Sequence, residues 1–172
     1  NACRTLSGWK LVPSGLVNTR SAAFGFSSEA GAPFECRLDA GTWGACTSPK
    51  AYASLAEGSH TFEVRAKDAA GNTDPTPASR TWVVDTLAPT ELRVTPSPPL
   101  NPRSTSATFV FDTTEPNPVF YCSLNGGPST VCSSPYTVSG LADGPQVLSV
   151  RVADPAGNLG ATVAFPWTVD TT

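Results

Sequence analysis

Methionine is absent from the 172 residues, histidine occurs once, and charged side chains make up only 15%. Each shortage excludes something. With His60 as the only imidazole, a His-rich metal cluster is impossible and a His-dependent catalytic constellation must be built on that ring. The 11 Lys and Arg are scattered and the net charge is −3, whereas nucleic-acid binding needs a basic face. No apolar run approaches the length of a membrane span, so no membrane insertion is expected in this segment. No long stretch repeats its apolar residues at helical spacing. Met is missing even at position 1, and no leader-type segment opens the chain. We therefore expect a mature piece or an excised fragment of a larger protein.

Turn-forming residues are plentiful, with 17 Pro and 14 Gly. They punctuate an internal duplication, the first thing to seek in such a chain. Residues 34–85 return, altered, at 120–170. Each copy has a Phe two residues before a Cys, then a second Cys ten residues on, followed by Ser-Pro. Each continues with L-A-[ED]-G, V-R-x-x-D-x-A-G-N and W-[VT]-V-D-T. The duplication predicts two domains, residues 1–86 and 87–172. Units this small bury only about 60–65% of their unfolded surface and call for extra staples. The junction Asp85-Thr86-Leu87-Ala88-Pro89 is short and holds a Pro, which predicts a semi-rigid linker.

Between the turns, apolar and polar residues alternate. Ala22, Phe24 and Phe26, and later Ala107, Phe109 and Phe111, follow the two-residue period of half-buried strands. Phe34, Cys36 and Leu38 are expected to face inward, with Glu35 and Arg37 outward. Phe62, Val64 and Ala66 point in by the same logic, and Glu63, Arg65 and Lys67 point out. Asp39-Ala40-Gly41 and its twin Asn125-Gly126-Gly127 read as hairpin turns, the second more strongly because Asn-Gly tolerates positive φ. First strands are placed near residues 8–12 and 90–96. A last strand at 162–170 carries Pro166, which makes it an imperfect strand or an edge. About seven short strands per unit, with turns every 8–12 residues, predict two all-β antiparallel sandwiches.

Five cysteines are an odd number. Cys36 and Cys46 flank one predicted turn, and Cys122 and Cys132 the other. In hairpins centred on Gly41 and Gly127 the two cysteines would sit directly opposite, about 4.5–5.5 Å apart at Cα, within disulfide range. A zinc site lacks its C-x-x-C spacing. We expect Cys36–Cys46 and Cys122–Cys132 disulfides, hence an oxidising compartment. Cys3 is left over: it pairs with a segment outside this chain, bridges to another chain, or stays a free thiol.

The run F-x-C-x-L-D-x-G-x-W-x-x-C-x-S-P, then L-x-x-G-x-H-x-F-x-V-R-A-x-D-A-A-G-N and W-x-V-D-T-x-A-P, resembles the Ig-like tandem repeats of large bacterial surface and secreted proteins. The resemblance implies extracellular or cell-surface sandwich modules of the immunoglobulin or fibronectin-III type, serving as stalks or adhesive units. The implied partners are neighbouring repeats of the parent protein and a protein or glycan on a cell surface. The second copy departs from the pattern: the place of Trp43 falls in Pro128-Ser129-Thr130, and that of His60 is Gln146.

Few residues offer chemistry beyond the scaffold. His60 is in phase with Phe62 and Val64, so it reads as a partly buried ring bonded to backbone; no catalytic residues are expected. Asp68, Asn72 and Asp74, with Asp154 and Asn158 as partial counterparts, sit in turn-like sequence. With Asp85, and with Glu29 and Glu115 in other loops, they are candidates for calcium, which takes six to eight oxygens. The competing reading is local turn bonding. Trp82 and Trp167 hold equivalent places and read as packing. Trp43 is the possible contact residue, with packing over the Cys36–Cys46 bridge as its alternative. Arg65 and Arg151 are expected to pair with neighbouring carboxylates across the sheet. The leading expectation is a structural or adhesive module; the alternative is a carbohydrate-binding accessory region of a secreted enzyme.

Overall fold

In the computed structural model, residues 13–28, 32–68, 70–97 and 100–172 are described. The predicted strand at 8–12, Cys3, Trp9 and Glu29 therefore lie outside the described residues. Chain contacts divide into two units, Asn1–Thr86 and Leu87–Thr172.

The first unit contributes β1 (Gly15–Val17), β2 (Ala22–Phe24), β3 (Phe34–Leu38), β4 (Gly44–Cys46), β5 (Lys50–Tyr52), β6 (Gly58–Ala66) and β7 (Ala78–Val84). They form a sheet in the order β1-β7-β6-β3-β4 and a second of β2-β5. The second unit contributes β8 (Arg93–Pro96), β9 (Ala107–Asp112), β10 (Val119–Leu124), β11 (Thr130–Cys132), β12 (Tyr136–Val138), β13 (Gly144–Ala153) and β14 (Val163–Val169). Its sheets are β11-β10-β13-β14 and β12-β9-β8. Each unit is a sandwich of two sheets.

Alternation explains the layers. Along β6 the inward residues His60, Phe62, Val64 and Ala66 are all buried. They meet Phe24 from the opposite sheet, whose ring stacks on Phe62 at 4.2 Å and lies 5.1 Å from Trp82. In the second unit Phe109 takes the same role, 5.1 Å from Trp167. Burying a ring of this kind contributes roughly 1.5–3 kcal/mol. The two equivalent Trp residues are thus packing residues, as expected.

One strand pair departs from the antiparallel rule. β1 runs parallel to β7, pairing Gly15 with Trp82 and Val17 with Val84. In the second unit the corresponding link is a single bond from the Asp170 N–H to the Pro102 carbonyl, against Asp85 N–H to Val17 in the first. Pro102 has no N–H with which to extend a ladder. Pro166 sits in β14, at the end of its sheet, where a missing donor is tolerated.

Both disulfides are present, Cys36–Cys46 and Cys122–Cys132, each with Cα atoms 5.8 Å apart. The expected register needs correction. Cys36 lies opposite Gly44, and Cys46 opposite Phe34; Cys122 and Cys132 are offset in the same way. The bridges are therefore diagonal. The reason is the turn: Asp39 and Ala40 both have positive φ (52° and 58°), and the Gly41 N–H closes onto the Leu38 carbonyl at 2.9 Å. This is a two-residue turn of the I′ kind. Its centre falls between Asp39 and Ala40, which alone would set Trp43 opposite Cys36; one extra residue in the returning arm between Gly41 and Gly44 makes the opposed partner Gly44, two residues short of Cys46.

Candidate functional site

The repeated motifs resolve almost entirely into internal bonds. Phe34 packs edge-on to Phe26 at 4.9 Å, and Phe120 lies 5.2 Å from Phe111. The Ser of each Ser-Pro accepts a hydrogen bond that extends the pairing of neighbouring strands in one sheet, β2 with β5 and β9 with β12: Phe26 N–H to Ser48 Oγ at 2.9 Å, and Phe111 N–H to Ser134 Oγ at 2.8 Å. Leu55 and Leu141 of L-A-[ED]-G are buried in the two cores.

The carboxylate of that motif reaches the V-D-T stretch. Glu57 Oε2 accepts from the Thr86 N–H at 2.9 Å, and Glu57 Oε1 from the Thr86 hydroxyl. Arg20 adds an ion pair to Glu57 at 2.6 Å. In the second unit Asp143 Oδ1 accepts from the Thr171 N–H (3.0 Å) and hydroxyl (2.8 Å). These bonds, the Thr86 hydroxyl first, hold the Glu57 carboxyl below the usual carboxylate range. Sequence reasoning missed this clasp. Its signal was present: an acid in one repeated motif and a Thr in the other recur together.

The A-G-N turn settles its own polar groups. Asp68 Oδ1 accepts from the N–H groups of Ala70 (3.0 Å) and Asn72 (2.8 Å), and Asp68 Oδ2 from Asn72 Nδ2 at 2.9 Å. Asp154 does the same with Asn158 at 2.8 and 2.7 Å. The Asn72 side chain and backbone hold Asp68 below its ordinary value. Asp74 is buried and accepts from Thr76 N–H and hydroxyl. Glu115 donates its N–H to Thr113 Oγ1. Asp85 does not join Asp68 and Asn72. It follows β7 at one end, and the turn precedes β7 at the other, seven residues or about 20 Å away. Asp85 is therefore not brought together with the calcium candidates Asp68 and Asn72. Among the described residues no three His, Cys, Asp or Glu side chains gather.

His60 is buried, with 7% of its surface exposed. Its Nε2 lies 2.9 Å from the Ala56 carbonyl and its Nδ1 2.7 Å from Asp39 Oδ2. The Ala56 carbonyl does most to raise the imidazole above its ordinary pKa; burial opposes it, and the hydrogen bond and charge of Asp39 add to the rise. Asp39 Oδ1 also accepts the Thr61 N–H. Gln146 stands in for His60 in the second unit. Its Oε1 accepts from Asn125 Nδ2 at 2.7 Å, its Nε2 donates to the Ala142 carbonyl at 2.8 Å, and Asn125 Oδ1 accepts the Val147 N–H. The pair changed together, Asp–His to Asn–Gln.

One group of side chains is left over from these scaffold roles. On the outer face of β3 and β6, Glu35 is opposed to Arg65 and Arg37 to Glu63. Arg65–Glu35 closes at 2.7 Å and Arg37–Glu63 at 2.6 Å. Trp43 lies over this lattice, 4.6 Å from the Arg37 guanidinium and 4.2 Å from that of Arg65. It is on the face away from the disulfide, because Ala45 opposes outward Glu35 while Gly44 opposes inward Cys36. Packing over the bridge is thereby replaced by stacking on arginine. The second unit has no such lattice: Tyr121 opposes Arg151, Ser123 opposes Ser149, and Arg151 donates to the Gly160 carbonyl at 3.1 Å. The expected carboxylate partner thus holds for Arg65 and fails for Arg151.

No protein-family model matches the sequence, and no curated protein matches it significantly. Solved structures do. Fibronectin(III)-like modules of Clostridium thermocellum CbhA align over 96% of this chain and 93% of theirs, with TM-score 0.54 and 13% identity. A Ca2+-stabilized adhesin with which an Antarctic bacterium reaches out and binds ice aligns over 98% of this chain and 49% of its own, with TM-score 0.50 and 18% identity. Identities this low speak to fold alone. The chain is two fibronectin-III-like, Ig-like β-sandwiches, each carrying one hairpin disulfide.

Proposed function

We propose that the chain is a non-catalytic structural and adhesive segment of a larger exported protein of bacterial type. In this reading residues 1–86 and 87–172 are separate domains. The observation that carries it is the fate of the repeated polar residues. In both units they close internal bonds: Ser to strand, acid to V-D-T, Asp to A-G-N. A repeated residue set committed to support is what a spacer needs. Two disulfides suit an oxidising, extracellular setting. The outer face around Trp43, Arg37 and Arg65 is the contact surface for a cell-surface protein or glycan, because it is what the first unit has and the second lacks.

Stretching the oxidised chain from its ends tests the spacer role. Two cooperative unfolding events are expected. Reduction is expected to lengthen each by about 30 Å, the extended reach of the ten-residue ring minus its 5.8 Å span. Gradual extension without discrete events would overturn it. Binding to a sugar panel that Trp43→Ala abolishes would support the contact surface with a glycan as its partner, and equally the alternative of a carbohydrate-binding accessory region.

A further inference from the structure

The one histidine sits in a position whose hydrogen-bond logic fixes its charge. A carbonyl oxygen only accepts, so Nε2, 2.9 Å from the Ala56 carbonyl, must carry a hydrogen. An ionised carboxylate also only accepts, so Nδ1, 2.7 Å from Asp39 Oδ2, must carry one too. Both bonds exist together only in the imidazolium. A neutral ring satisfies one partner and leaves Nδ1 facing the carboxylate with lone pair against lone pair. The corresponding Gln146 has an amide that donates to Ala142 and accepts from Asn125. Nothing in that second bridge titrates between pH 4 and 9.

We propose that His60 makes the first unit a proton-tightened module, its imidazolium bolting the Asp39-Ala40 turn to the loop before β6, while the Gln146 bridge leaves the second unit indifferent to pH. The groups facing the ring are few. Asp39 comes from the turn after β3. On β7 the register partner is Trp82, whose ring lies 5.6 Å away and carries no charge. On β5, the Tyr52 phenol is raised chiefly by burial and then by the charge of Asp39, so it stays neutral throughout this range. Glu57, one residue past Ala56, is engaged by Thr86 and Arg20. Asp39 is thus the charge that answers the ring. A folded-state pKa raised above the unfolded value gives stability that is fully present below the unfolded pKa, about 6.5, and lost as pH rises through the folded one. The turn held by this bolt leads into Trp43, so protonation also steadies the approach to the outer face.

A single imidazole makes the test clean. Proton NMR of the intact chain should show its one Cε1–H titrating with a pKa above about 6.5. Exchange of the Thr61 amide, which donates to Asp39, should be slower at mildly acidic pH than at alkaline pH after correction for intrinsic rates. The ratio grows up to tenfold for each unit by which the pKa is raised. The Val147 amide, its counterpart on Asn125, should show no such ratio. The double variant Asp39→Asn with His60→Gln should abolish the ratio at Thr61. A Cε1–H titrating at or below 6.5, or equal pH response at Thr61 and Val147, overturns the proposal. The wild-type titration decides it even if the double variant does not fold.

Discussion

At the scale of single residues, the two units work as internal controls for each other. Ala40 is the sharpest case. It sits at φ 58°, in the left-handed region, where its counterpart Gly126 sits at φ 71°. An L side chain there costs roughly 1–2 kcal/mol. Glycine removes that cost but returns roughly 0.5–1 kcal/mol of unfolded-chain freedom. Ala40→Gly is therefore expected to stabilise the first unit by about 0.5–1 kcal/mol, and Gly126→Ala to destabilise the second by a similar amount. Denaturant titration checks both; a loss of stability in Ala40→Gly would contradict the turn geometry. The sequence made Asn125-Gly126 legible as a turn, and Asp39-Ala40 only through its twin. The His60 and Asp39 pairing was beyond it, because the partners lie far apart in the chain and meet only when β3 and β6 align.

At the scale of elements, alternation carried most of the reading. The inward phase of β6 and the burial of Phe24, Phe109 and Phe111 follow from period-two patterning. β1 was not legible. Its three residues pair in parallel at the sheet edge and show little burial, so no alternation marks them. The cysteine register was misplaced by two residues because it was counted from Gly41, whereas the turn is built on the two residues before it and one extra residue in the returning arm restores part of the shift. The A-G-N turn was half legible: its composition fitted turn chemistry and an ion site equally. The structure shows Asp68 and Asp154 accepting from nearby N–H groups. Those donors occupy the oxygens that an ion would need. Melting temperatures measured in calcium and then in excess EDTA are expected to coincide. A calcium-dependent rise that EDTA reverses would show that another set of oxygens, drawn from outside these turns, holds the ion.

At the scale of the whole molecule, similar modules in tandem face a hazard of their own. Each of the two units has a short strand, β4 or β11, at the rim of its sheet. Such rims invite another chain's strand to pair there, and a related unit nearby is the best-matched stranger. Cys36–Cys46 and Cys122–Cys132 fall on those rims, each tying the outermost strand to the one beside it. The ring adds roughly 2–3 kcal/mol by loop closure. Refolding at high concentration in a reducing buffer is expected to raise the share of dimers over refolding with the bridges intact, read by size-exclusion chromatography. Equal shares would limit the bridges to simple stapling. A strand inside a closed covalent ring cannot be traded with a neighbour. The same bond that strengthens each sandwich thereby gives it ownership of its own strands, so that a string of look-alike modules folds as individuals.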